Sequence, residues 1–103
     1  YCESFGYGVV RDLVGHGVGA SLHEDPQIPN VRQKSRGIKR RPGMTLSIEP
    51  MVNAGRYDVE WMDDDWTVVT QDGSLSAHYE NTGLITDGEP EILTLTEEEK
   101  ELC

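Results

Sequence analysis

Hydrophobic and polar residues alternate along two stretches of the chain, and the alternation predicts two β-strands that each carry a polar face. In the stretch 44–52, one face comprises Met44, Leu46, Ile48 and Val52, and the opposite face comprises Thr45, Ser47, Glu49 and Met51. In the stretch 78–85, one face comprises His78, Glu80, Thr82 and Leu84. Glu49 and Glu80 therefore each point from a mostly polar face, as residues that line a cleft between two layers would.

Turn-forming residues divide the rest of the chain into short elements. The β-branched run 9–14 predicts a strand that ends just before His16. Residues 66–70 predict a further strand, and the turn at 71–74 leads from it into the strand of Glu80, which indicates a hairpin.

The two ends of the chain have weaker patterns. Residues 1–4 are typical of the end of a helix, residues 91–95 predict a last strand, and Thr96 is the expected N-cap of a short helix. Few helices and mostly antiparallel strands make the predicted fold class α+β.

Candidate chemistry lies in the glycine-rich run from Gly15 to Pro26, which carries two histidines. Glycines on both sides of His16 remove side-chain bulk and allow its imidazole to approach a cation. With Glu49 and Glu80 on other segments, one imidazole and two carboxylates would suit Mn, Fe, Co or Zn. The spacing leaves open whether His23 is a further ligand or a catalytic group.

Three blocks, in order and spacing, resemble type I methionine aminopeptidase: GHGVGASLH at 15–23, GMTLSIEPMVNAG at 43–55, and WTVVT with SLSAHYENT within 66–82. The resemblance runs from about Gly6 to about Leu95 and covers only the C-terminal half of that family. It implies that residues 1–103 form the C-terminal half of a catalytic domain with the pita-bread fold of creatinase-like and aminopeptidase-like proteins. The N-terminal half, which supplies two aspartate ligands and a further histidine, has no counterpart here.

The resemblance also implies a function and a role for each site residue. The reaction would be the metal-dependent hydrolytic removal of N-terminal methionine from peptides and nascent proteins, with two divalent ions of Co, Mn, Fe or Zn. His16 and Glu49 would bind one ion, and Glu80 would bridge both. His23 would donate a hydrogen bond to the tetrahedral intermediate, Glu49 is also the candidate general base, and Trp66 would help form the methionine pocket.

Departures from the family pattern affect the expected selectivity rather than the ligands. Leu22 stands where an aromatic residue commonly precedes the second histidine, Asn81 stands where histidine is frequent, and Leu13 is less bulky than expected. A proline-specific aminopeptidase of the same fold is one alternative function. A non-catalytic fragment or binding module is the other, and with three of five ligands present we expect the chain alone to be weakly active or inactive.

Charge and composition limit the partners and the compartment. Nine Lys and Arg against 19 Asp and Glu give a net charge of −10, which argues against nucleic acid and anionic membranes as partners. The basic cluster at 34–41 is expected to be a solvated loop. Cys2 and Cys103 are expected to be free thiols, and the absence of an apolar stretch of about 18 residues favours a cytoplasmic protein.

Unpaired strand edges and exposed apolar faces are expected in an isolated half-domain. The residues concerned are Met51, Trp66, Tyr79 and Leu84. The sequence therefore predicts either a homodimer or association with the missing N-terminal half.

Overall fold

A computed structural model describes residues 1–102, which form a short 3₁₀ turn at Cys2–Phe5, ten β-strands and one α-helix. The first five strands are β1 (Gly8–Val9), β2 (Gly15–Gly17), β3 (Glu24–Ile28), β4 (Thr45–Ile48) and β5 (Met51–Asn53). The next five are β6 (Val59–Trp61), β7 (Val68–Thr70), β8 (Ser76–His78), β9 (Asn81–Leu84) and β10 (Glu91–Ile92), and the helix is α1 (Glu97–Leu102). Cys2 is a free thiol, and Cys103 lies outside the described residues.

The strands form three antiparallel sheets. The largest has the order β10-β9-β4-β2-β3, the second has the order β1-β5-β8, and the third is the two-stranded hairpin β6-β7. The predicted fold class is confirmed, because the sheets are antiparallel throughout and helical residues are few. None of the described residues belongs to a helix long and apolar enough to cross a membrane.

The chain passes between the five-stranded and three-stranded sheets at two places, from β4 to β5 and from β8 to β9. We name the residues at these two places, 49–50 and 79–80, the joint. β4 pairs with β9 on one side of the joint, and β5 pairs with β8 on the other. The prediction of two continuous strands was therefore wrong at Glu49 and at Glu80. Pro50 has no N–H to donate to a ladder, and its carbonyl oxygen accepts from Tyr79 N at 3.3 Å across the gap.

The aliphatic core is small. Among the described residues, the buried apolar ones are Val9, Val10 and Leu46. Ile48, which alternation placed on the buried face, is 47% exposed, whereas Ser47 on the supposed polar face is 1% exposed. Alternation failed here because β4 ends at Ile48, where the chain leaves the five-stranded sheet, so one sheet face no longer sets the burial of these side chains.

Three further predictions need correction in detail. β7 pairs with β6 rather than with β8, because β8 is the ladder partner of β5. The strand predicted at 9–14 is only β1, and residues 11–13 bend, so His16 lies inside β2 rather than at a strand end. The last strand extends over Glu91–Ile92 alone.

Both predicted terminal elements are present. Gly6 ends the 3₁₀ turn in the left-handed region, with φ 86°. The α1 helix begins with a capping box, in which Thr96 Oγ1 accepts from Glu99 N at 3.2 Å and Glu99 Oε2 accepts from Thr96 N at 2.8 Å. Thr96 is therefore the N-cap that the sequence predicted.

Candidate metal centre

His16 lies in β2, which pairs with β3 on one side and with β4 on the other in the five-stranded sheet. Glycine is required on both sides of His16, because the backbones of the neighbouring strands lie too close for a side chain at either position. A Cβ at Gly15 would meet the carbonyl oxygen of Ser47, and one at Gly17 would meet the carbonyl oxygen of Asp25. Because neither oxygen can move without disturbing its strand, the two glycines allow an imidazole to be buried between β3 and β4.

The hydrogen bonds of His16 fix which ring nitrogen faces the site. Nδ1 is 2.9 Å from the carbonyl oxygen of Gly17, which can only accept, so Nδ1 carries a proton. Nε2 lies 3.2 Å from Oε1 of Glu49. The imidazole nitrogen that faces the site and a carboxylate oxygen are thus side by side, and both are donor types that bind divalent ions.

Both predicted carboxylate ligands lie in the joint. Oε1 of Glu80 accepts from the hydroxyl of buried Ser47 at 2.5 Å. One nitrogen of His16 and one oxygen from each of Glu49 and Glu80 all lie within 4.8 Å of one another. Two donor atoms that each lie about 2.0–2.2 Å from one ion are at most twice that distance from each other, which is close to the separation found here. An imidazole with two carboxylates is a ligand set that suits Zn, Fe, Co or Mn. The residues present therefore fit a divalent ion.

A cavity of about 470 Å³ opens beside these residues. It is lined by Asp12, Leu13, Val14, His16, His23, Glu49, Met51 and His78. The ring of His23 is exposed, and its centroid lies 4.3 Å from that of His16 with the planes tilted by 54°. His23 therefore lines the same cavity as His16 and Glu49.

His78 also lies beside the candidate centre, and the sequence analysis did not name it as a site residue. Its Nε2 lies 3.4 Å from Oε2 of Glu49. Alternation placed His78 on the same face as Glu80, but only the pairing of β8 with β5, which sets Met51 opposite His78, brings it to Glu49. The available signal was the histidine itself, two residues before a predicted ligand.

Trp66 is not brought to this cavity. It lies in the turn between β6 and β7 and is 86% exposed, so it is not a core residue either. Its role in a methionine pocket stays a prediction without support from the arrangement of residues 1–102.

A larger cavity of about 660 Å³ lies elsewhere, between β3 and the loop that carries Ile38, Lys39 and Arg40. None of the metal-centre residues lines it, and its walls carry no imidazole. We therefore place the candidate site at the smaller cavity, where the chemistry-bearing side chains converge.

A family model and individual relatives all indicate the same protein family. Residues 1–87 match the model of metallopeptidase family M24. The methionine aminopeptidase of Clostridium acetobutylicum is 64% identical over 97 residues, which cover 94% of this chain and 39% of the relative. That of Clostridium perfringens is 60% identical over 95 residues, which cover 92% of this chain and 38% of the relative.

Solved structures agree with these relatives. A methionine aminopeptidase structure from Thermotoga maritima matches with a TM-score of 0.87 at 56% identity, over 92% of this chain and 38% of that one. One from Rickettsia prowazekii matches with a TM-score of 0.88 at 45% identity, over 92% and 39% of the two chains. The predicted resemblance and pita-bread fold are confirmed, and the chain spans about two fifths of the length of the relatives it matches.

Proposed function

Because the chain belongs to metallopeptidase family M24, we propose that it is part of a methionine aminopeptidase, which hydrolyses the bond after an N-terminal methionine of peptides and nascent proteins. Residues 1–103 would form the C-terminal half of the catalytic domain. One observation carries the proposal, namely the convergence of His16, Glu49 and Glu80 within 4.8 Å, beside a cavity that His23 also lines.

In this proposal His16 and Glu49 would hold one divalent ion, and Glu80 would be a ligand of that ion and of a second one. The ions, of Co, Mn, Fe or Zn, would supply Lewis-acid polarisation of the scissile carbonyl. Glu49 takes the proton of the attacking water, and His23 donates a hydrogen bond to the carbonyl oxygen as negative charge develops there. Trp66 contacts the methionine side chain once the remaining part of the site is present.

Three of the five expected ligands are in this chain, so we propose that a partner completes the site. The apolar core of the described residues is small, and several large apolar side chains are exposed, among them Tyr7, Leu22, Ile38 and Trp61. Among the described residues, the edge strands of both larger sheets pair with a neighbour on one side only, and these strands are β1, β3, β8 and β10. The first candidate partner is the part of the relatives' length that this chain does not span, and the second is another copy of the chain. We further propose that the protein acts in the cytoplasm.

A chimeric enzyme tests the proposed function. The segment of the Clostridium acetobutylicum enzyme that matches this chain is replaced by the chain, and hydrolysis of a Met-Ala dipeptide and a Xaa-Pro peptide is measured with added Co²⁺ or Mn²⁺. We expect cleavage of Met-Ala and little cleavage of Xaa-Pro, whereas the chain alone should cleave neither substrate at a useful rate. A folded chimera without Met-Ala activity would contradict the proposal, and preference for Xaa-Pro would favour a proline-specific enzyme.

Light scattering tests the partner proposal for the isolated chain. At micromolar concentration we expect a self-associated species, most simply a two-fold dimer, because apolar surface and strand edges are left uncovered. A monomer that unfolds cooperatively would show that the chain closes its own core.

A further inference from the structure

Glu49 contacts a different imidazole with each of its oxygens. Oε1 is 3.2 Å from Nε2 of His16, and Oε2 is 3.4 Å from Nε2 of His78. The Glu49 side chain is 19% exposed, and the two histidines belong to different sheets. The joint thus places one carboxylate between an imidazole of the five-stranded sheet and an imidazole of the three-stranded sheet.

We propose that His78 is a positioning residue for the metal centre, in that it donates Nε2–H to Oε2 of Glu49 and thereby directs Oε1 towards His16. The last torsion of a glutamate side chain is broad, so a carboxylate without a fixed partner samples many orientations. A donor on one oxygen restricts that rotation and leaves the other oxygen aimed at the ion. The inference rests on the proposed function, in which Glu49 is a ligand.

The backbone holds His78 in the position this role requires. Met51 and His78 are ladder partners in the pairing of β5 with β8, and the Tyr79 N–H donates to the carbonyl oxygen of Pro50 at 3.3 Å. These bonds hold the backbone of His78 opposite Met51, two residues along the chain from Glu49, from where its side chain reaches Oε2 of Glu49. Its side chain is 46% exposed, so His78 is not held there by core packing.

The geometry also distinguishes positioning from ligation. The donors that lie within 4.8 Å of one another come from His16, Glu49 and Glu80, and His78 does not belong to that group. His78 contacts the carboxylate on the oxygen that does not face His16. An imidazole in that place supports a ligand rather than replacing one.

Two variants of similar size isolate the donated hydrogen bond. His78→Gln keeps an N–H donor near the position of Nε2, whereas His78→Met fills similar space without a donor. We expect calorimetric titration of the 103-residue chain with Co²⁺ to show binding about 10–100-fold weaker for His78→Met, and most of the affinity restored in His78→Gln. The visible absorption of bound Co²⁺ should change in His78→Met and return towards that of the unsubstituted chain in His78→Gln.

Ser76→Ala is the matched control, because Ser76 is exposed on the same strand and should leave Co²⁺ binding unchanged. Equal Co²⁺ affinity in His78→Met and the unsubstituted chain would overturn the inference. So would a His78→Gln variant that binds as weakly as His78→Met.

A measurement without metal separates failure of the inference from failure of the proposed function. In ¹H–¹⁵N spectra at a fixed pH, the Nε2 resonance of His78 should shift in Glu49→Gln and stay in place in Asp64→Asn. No response to Glu49→Gln would overturn the hydrogen bond itself. Where the chain alone binds no Co²⁺, the same titrations are made on the chimeric enzyme that carries it. If the ¹⁵N response is present but the chimeric enzyme also binds no Co²⁺, the metal centre of the proposed function fails, and the positioning role fails with it.

Discussion

The joint and the β6-β7 hairpin both carry carboxylates, but the two regions use them differently. In the hairpin, Oδ1 of Asp64 accepts from the backbone N–H groups of Trp66 and Thr67, at 3.0 and 2.8 Å, and Oδ2 accepts from the hydroxyl of Thr67 at 2.5 Å. At the joint, the oxygens of Glu49 face imidazoles supplied by two other strands. The first carboxylate organises its own turn, whereas the second is oriented by distant parts of the chain.

This difference separates a structural carboxylate from a candidate ligand. The side-chain hydrogen bond from Thr67, followed by the backbone bonds from Thr67 and Trp66, lowers the pKa of Asp64 below its ordinary value of 3.8. Its lone pairs are already occupied by local donors. Glu49 and Glu80 converge with His16 instead, so a run of acidic residues such as 63–65 is a poorer indicator of a site than two isolated glutamates.

The largest expected effect comes from exchanging a carboxylate for an amide in each region. Glu49→Gln in the chimeric enzyme should lower the rate of Met-Ala hydrolysis by about 10²–10⁴-fold, because the substitution removes the proposed general base, which is also a proposed ligand. Asp64→Asn should leave that rate within about twofold, since its contacts are confined to one turn. Comparable losses from both substitutions would show that the contrast between the regions is mistaken.

A second substitution tests how closely the sheet packs around His16. Gly15→Ala should lower the free energy of unfolding by about 1–3 kcal/mol, because the added methyl group would meet the carbonyl oxygen of Ser47. Gly37→Ala is the control, since nothing lies within 4 Å of the corresponding Cβ position. Urea denaturation of both variants measures the effect, and equal stability would indicate that β2 and β4 can separate without cost.

The hydrogen bond between Ser47 and Glu80 provides a smaller effect at the joint. Ser47→Ala removes the donor that orients Glu80 and should cost about 1 kcal/mol in Co²⁺ binding, because exposed Glu80 can accept from water instead. Calorimetric titration measures this loss against Ser35→Ala, which changes an exposed loop residue. Unchanged affinity in Ser47→Ala would mean that Glu80 needs no partner to reach the ion.

The smallest expected effect concerns Asp72, which, like Asp64, accepts hydrogen bonds from backbone N–H groups. The backbone hydrogen bond from Arg56, with further bonds from Ser74, lowers the pKa of Asp72 from 3.8 to about 2. A lowered pKa in the folded state stabilises the fold fully above the unfolded value, and the contribution is lost as pH falls through the folded value. The difference in unfolding free energy between the chain and Asp72→Asn should therefore be constant above about pH 5 and shrink between about pH 4 and pH 2. A difference that stays constant down to pH 2 would contradict the assignment.

The candidate ligands were named from the sequence, and the structure brings them together, but the way they meet could not be predicted. The motifs around His16, Glu49 and Glu80 identified the residues through their resemblance to a family. Alternation then treated each strand as continuous, because a period of two carries no information about where a strand changes sheets. Pro50 was the one local signal of the break, since it cannot donate to a ladder.

Strand pairing accounts for the other differences. The turn at 71–74 correctly indicated a reversal of the chain, but a turn does not specify which strand pairs with which. The three residues of β6 have too little pattern to be recognised, so the hairpin was assigned to the wrong partner. His78 was missed for the same reason, because its contact with Glu49 depends on a ladder that joins residues far apart in sequence.

The joint makes the candidate metal centre a cross-link as well as a chemical site. Any ion held by His16, Glu49 and Glu80 ties the five-stranded sheet to both crossing segments at the place where their ladders are interrupted. Bound only by the folded chain, such an ion adds RT ln(1 + [M]/Kd) to its stability, or about 2.7 kcal/mol at a concentration one hundred times Kd. Metal supply would then set how stably the two sheets are held together at the joint.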